Sequence, residues 1–112
     1  MSSSAWKTFD LQTLKKTVEG NEPRFHEFLR SRQMSCAMYR LPAGATDMQP
    51  PHLEDEVYLV IEGRARLKID EVEQEVAPGT VLFVAATTEH SFFDITEDLT
   101  LLAMFGPASG IR

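Results

Sequence analysis

Pro51-His52-Leu53-Glu54-Asp55-Glu56-Val57-Tyr58-Leu59-Val60-Ile61-Glu62-Gly63-Arg64-Ala65-Arg66-Leu67-Lys68-Ile69-Asp70 is the stretch on which the fold turns. Residues 57–61 form an unbroken run of β-branched, aromatic and leucine side chains. Glu62-Gly63 closes that run, so it is far better strand than helix. From Arg64 the chain alternates, with Ala65, Leu67 and Ile69 on one side and Arg64, Arg66 and Lys68 on the other. A strand of that pattern turns one face to a core and the other to water.

The same texture extends outward. Runs rich in Val, Ile, Leu and aromatics occupy residues 35–41, 57–61, 65–69, 72–76, 81–84, 91–95 and 99–105. Turn signals separate them at Pro42-Ala43-Gly44, Glu62-Gly63, Asp70-Glu71, Pro78-Gly79 and Glu97-Asp98. Short strands at this spacing predict an all-β antiparallel sandwich or barrel. Upstream, Leu11, Leu14 and Val18 recur at spacings of three and four behind Asp10, a candidate N-cap, which predicts a short helix over 10–19 that ends at Gly20-Asn21. Residues 24–32 read as an edge strand or an irregular arm.

At 112 residues the chain is the size of one domain, 1–112, taken as an N-terminal arm over 1–32 and a barrel core over 33–107. Seventeen acidic side chains against 11 basic ones give a net charge of −6 with no basic stripe, which argues against a nucleic-acid partner. No apolar run approaches the ~20 residues of a membrane-spanning helix. The beginning of the chain lacks a secretory pattern, and a lone cysteine, Cys36, has no partner for an intrachain disulfide, so a cytoplasmic location is expected. A small molecule is the expected partner. Trp6, Phe9, Leu11 and Leu14 are more apolar surface than a short arm can bury, which predicts a homodimer with the arm beside the interface.

His52 and His90 stand where strands meet turns, and Glu56 lies four residues after His52. On a flat strand His52 and Glu56 would be about 13 Å apart. Pro50-Pro51 and Glu54-Asp55 predict a bend that lets the two side chains converge. Two imidazoles and one carboxylate on a rigid β scaffold make a facial triad, a set that suits Fe(II) and also accepts Zn, Mn or Ni, with positions left open for water, substrate or dioxygen. Read from spacing alone, Glu54, Asp55 and Glu56 are equally a solvated acidic turn.

Gly44, His52, Glu56 and Gly63 fall in register with the first motif of the cupin superfamily, while Gly79 and His90 fall in register with the second. The chain from about Ser35 to Pro107 therefore resembles a small cupin, which implies a double-stranded β-helix, the jelly-roll barrel, with a metal in its mouth. The resemblance assigns His52, Glu56 and His90 as the ligands. It also exposes departures: Pro50 stands at the position of the first motif histidine, and Ala85, Thr87 and Asp94 replace the Pro, Gly and Asn of the second motif. With Pro50 lacking a donor, either three ligands suffice, or Gln49 adds an oxygen, or the ion is lost and the barrel is a non-catalytic small-molecule binder. With the ion present, oxygenase, isomerase or lyase chemistry is implied; catalytic residues beyond the ligands are not assigned.

Other residues read more plainly. His26 lies outside both motifs and is structural or exposed. Cys36, alternating with Met34 and Met38, reads as buried filler. Tyr58, on the same strand face as Glu56, lines either the pocket or the core. Phe83, Phe92 and Phe105 read as barrel interior, with Phe83 and Phe92 as candidates for a pocket wall.

Overall fold

The computed structural model describes residues 5–47 and 50–107. Asp10 caps the helix α1 (Leu11–Lys16): its carboxylate accepts from the Thr13 N–H at 3.0 Å and from the Thr13 hydroxyl at 3.1 Å. The helix ends sooner than 10–19, with the Thr17 hydroxyl bonded back to the Leu14 carbonyl at 2.6 Å. Among the described residues no helix is long and apolar enough to cross a membrane.

Six antiparallel strands follow: β1 (Arg24–Arg30), β2 (Ser35–Leu41), β3 (Glu56–Ile69), β4 (Val72–Val76), β5 (Val81–Val84) and β6 (His90–Phe105). Their order is β1-β2-β6-β3-β4, with β5 also paired to β3. The stretch 24–32 thus resolves into an edge strand.

The structure departs from the sequence reading at two of the expected turns. Residues 57–61 and 65–69 belong to one strand, β3, and residues 91–95 and 99–105 to another, β6. Glu62-Gly63 and Glu97-Asp98 bend the chain without reversing it. The β3–β6 register slips repeatedly between Val60 and Arg66, so the two strands turn the corner together. Gly63 makes that corner possible. Its φ is +97°, and a Cβ there would run into the Asp98 carbonyl and lie 2.6 Å from the Leu99 Cα.

Past the corner the pairing partners change. Glu56–Leu59 pair with β5 on one side and with the C-terminal end of β6 on the other, whereas Ala65–Ile69 pair with β4 and with the beginning of β6. The inner faces of both halves close over one core that includes Tyr39, Leu41, Val60, Leu67, Leu99 and Leu101. Burying each such leucine stabilises the fold by about 1.5–3 kcal/mol. The alternation of 64–69 is as read, with Ala65 and Leu67 buried and Arg64 and Lys68 exposed. This is an all-β jelly-roll whose one described helix lies in the N-terminal third.

Helix α1 is tied to the outside of the corner. Lys15 pairs with Glu62 at 2.7 Å, and Glu62 also accepts from the buried Thr100 hydroxyl at 3.3 Å. Arg40 donates to the Gly20 carbonyl at 3.2 Å and pairs with Asp98 at 3.0 Å. Asp98 in turn accepts from the Ala43 N–H at 2.8 Å.

Candidate metal centre

Glu56 opens β3 on the inner face of the barrel and is 1% exposed. Before it, the chain bends at Leu53-Glu54 as expected, and His52 Nε2 comes to 3.9 Å from Glu56 Oε1. Three hydrogen bonds hold that bend. The Thr87 N–H donates to the His52 carbonyl at 2.6 Å, the Ala86 N–H to Asp55 Oδ1 at 2.9 Å, and the Gly106 N–H to the Asp55 carbonyl at 3.2 Å. The loop ahead of β3 is thereby laced to the loop ahead of β6.

His90 opens β6 from that second loop. Its Nδ1 lies 2.9 Å from the Thr88 carbonyl, and since a carbonyl only accepts, the ring proton belongs on Nδ1. Nε2 is left as a lone pair facing inward, 3.3 Å from Glu56 Oε1 and 3.3 Å from the Tyr58 hydroxyl. A carbonyl that fixes the tautomer in this way is the usual support of a metal-ligating histidine.

One donor atom from each of His52, Glu56 and His90 lies within 4.8 Å of the others. The His52 Nε2 and both Glu56 oxygens are buried without a hydrogen-bond partner. Enclosing polar atoms that have no hydrogen-bond partner costs stability, which a bound ion would return. A divalent ion at about 2.0–2.2 Å from each donor would separate neighbouring donors by roughly 3–3.5 Å. The Glu56–His90 pair already meets that spacing at 3.3 Å, and His52, 3.9 Å from Glu56, would move inward to complete it. The donor set fits an ion.

Without an ion, a proton competes for the same atoms, since His90 Nε2 faces Glu56 at 3.3 Å. Glu56 beside it raises the His90 imidazole above its ordinary pKa; burial opposes the shift, and the Thr88 carbonyl adds to it. Burial, followed by the charge of Glu56, pushes the Tyr58 hydroxyl well above the usual tyrosine range, so it stays a donor.

Not all the expected residues gather here. Tyr58 does, and Phe92 packs edge-on against it at 5.2 Å as barrel interior. Phe83 does not: it is 62% exposed, because β5 turns Leu82 and Val84 inward and Phe83 therefore outward. Phe105, read as interior with Phe83 and Phe92, lies edge-on to His52 at 4.7 Å. His26 is exposed on β1, Pro50 is exposed, and Cys36 is buried. Gln49 lies outside the described residues.

One residue of the interior was missed. Asp47 accepts from the Tyr39 hydroxyl at 2.6 Å and from the Phe92 N–H at 3.0 Å, joining the loop before the site to two strands. Nothing in its aperiodic neighbourhood marks it.

Two departures from the second motif acquire a physical meaning. Thr87, in the place of the motif glycine, has φ +62°, and Asp94, in the place of the asparagine, has φ +51°. The backbone keeps the left-handed conformation even though the residues best suited to it are gone.

Residues 37–105 match the Cupin domain family. An uncharacterized protein of Streptomyces coelicolor is 43% identical over 101 residues, covering 90% of this chain and 96% of that one. Among solved structures, a Thermus thermophilus protein shares 23% identity with a TM-score of 0.76, covering 91% of this chain and 98% of that one. A DMSP lyase of Ruegeria pomeroyi shares 14% identity with a TM-score of 0.72; 81% of this chain matches, spanning half the length of that enzyme. At these identities the two structures show a shared fold.

Proposed function

The chain belongs to the cupin domain family, and on that footing we propose that His52, Glu56 and His90 hold one divalent ion, Fe, Zn, Mn or Ni, with which the protein acts on a small molecule. The reaction class is oxygenase, isomerase or lyase. One observation carries this reading: the Glu56 carboxylate and the His52 Nε2 lie buried without a hydrogen-bond partner, beside a second imidazole. When bound, the ion supplies Lewis-acid or redox activation at its open positions.

The chain's own residues do the rest. The Thr88 carbonyl keeps the lone pair of His90 turned inward. The Tyr58 hydroxyl, 3.3 Å from His90 Nε2, would be free to donate to an oxygen of the ligand were an ion held there. Phe105 packs against His52 and Phe92 against Tyr58, which gives the centre an apolar surround. The chain works as one domain and as a homodimer, a reading supported by the exposed apolar side chains Trp6, Val81 and Phe83. The buried thiol of Cys36 accords with a cytoplasmic location.

The test is metal content after purification without chelator, followed by zinc titration. His52→Ala, His90→Ala and Glu56→Gln should each weaken zinc binding by about a hundredfold or more, and His26→Ala should leave it unchanged. Equal metal content in all four variants would overturn the proposal. Pro50 favours a second reading, a non-catalytic small-molecule binder with a degenerate metal site; a wild-type chain that takes up no zinc would support it.

A further inference from the structure

A cavity of about 270 Å³ opens on the His52 side of the centre. Phe25, Met34 and Phe105 line it, His52 reaches it, and Arg30 and Arg32 stand at its rim. The rings form a continuous wall: Phe25 and Phe105 are 6.4 Å apart, and Phe105 meets His52 at 4.7 Å. This volume sits at or below the small end of the range for ligand pockets.

The two arginines differ in what they have left to offer. Arg30 is held in a fork by Glu27, with its Nε and Nη2 at 2.9 Å and 2.7 Å from the two carboxylate oxygens. Glu54, the other acid of this rim, also acts on Arg30 by its charge. Arg32 has neither a hydrogen bond nor an ion pair among the described residues.

The turn that carries Arg32 is nonetheless fixed in place. The Ser31 N–H donates to the Met34 carbonyl at 2.9 Å. Gly106, at the end of the barrel, lies so close beneath that a Cβ there would sit 2.5 Å from the Gln33 carbonyl oxygen. A free guanidinium on a pinned turn, above an apolar wall that ends at a candidate metal ligand, is a site for an amphipathic anion.

We propose that this cavity takes a small amphipathic acid, its carboxylate on Arg32, its apolar body along Phe25 and Phe105, and its far end toward His52. The proposal rests on the metal reading only in making the His52 side the side where a ligand enters. An apolar wall matches inorganic phosphate poorly.

The test uses the full chain, zinc-loaded and metal-free, with calorimetric titration of benzoate, benzamide and inorganic phosphate at low salt. Benzoate should bind roughly tenfold tighter than either alternative, and added salt should weaken it. Arg32→Gln should remove about five- to tenfold of that affinity in both forms, with Arg30→Gln within about twofold of wild type. Both arginines are exposed, so unfolding is not expected to intervene; thermal melts check it. Benzoate binding no tighter than benzamide or phosphate, or an Arg32→Gln variant that binds benzoate as wild type does, overturns the proposal whether or not zinc binds. If zinc fails to bind while benzoate still depends on Arg32, the metal reading falls and the acid site stands.

Discussion

Glu56 is enclosed, and in the metal-free barrel its neighbour is His90, whose Nε2 lies 3.3 Å away and whose pKa it raises. A histidine raised in the folded state contributes stability below its unfolded pKa and loses it as pH rises through the folded one. The metal-free chain should therefore lose stability from about pH 6 to about pH 8, and Glu56→Gln should flatten that dependence while abolishing zinc binding. Urea titration of the two proteins at both pH values decides it; a wild type and a variant with the same pH dependence would count against the pair. Thr87 is strained in its backbone, since a β-branched residue at φ +62° is a genuine outlier. Thr87→Gly should stabilise by roughly 1 kcal/mol, read as a higher melting temperature. The gathering of His52, Glu56 and His90 was legible in the sequence because motif spacing names positions directly. Asp47 and Arg32 were not, since an interior hydrogen bond and a cavity rim are made by residues far apart in the chain. Phe83 was misjudged because the inward face of a four-residue strand cannot be read without its neighbours.

Strand positions were legible almost throughout, because each strand carries its own apolar pattern. The corner was not. Glu62-Gly63 has the composition of a reversal, and only its tertiary neighbours show that a single strand runs through it. Gly63→Ala should therefore cost about 2–4 kcal/mol, combining left-handed backbone with overlap against Asp98 and Leu99, while Gly79→Ala, also left-handed but with open space around it, should cost about 1 kcal/mol. Chemical denaturation of both variants checks the contrast, and equal losses would place the whole effect in φ. The helix beside the corner is held by acids of lowered pKa: Lys15 by its hydrogen bond lowers Glu62, and the Ala43 N–H, with Arg40 adding its charge, lowers Asp98. Groups depressed in the folded state contribute stability above their unfolded pKa and lose it as pH falls through the folded one. The helix should accordingly loosen from the barrel below about pH 4, by less than about 1 kcal/mol because the pairs are partly exposed. Amide exchange in α1 at pH 3 against pH 6 measures it, and unchanged protection would count against the ties.

The molecule as a whole brings His52 and His90 from the two loops that lead into its two longest strands. His52 lies ahead of β3, His90 begins β6, and Ile69 at the far end of β3 is the residue that pairs with His90. Neither motif hints at this registration, which follows from the shared corner. It sets an order of events during folding. The ligand cluster cannot exist until β3 and β6, distant along the chain, have zipped along their full length, and pairings of that kind form slowly. A bound ion should therefore act almost wholly on the escape from the native state: zinc should slow unfolding by the factor it adds to stability and leave the refolding rate unchanged. In stopped-flow mixing only the unfolding arm of the chevron would shift, and the centre would serve as a latch on lifetime instead of a seed for assembly.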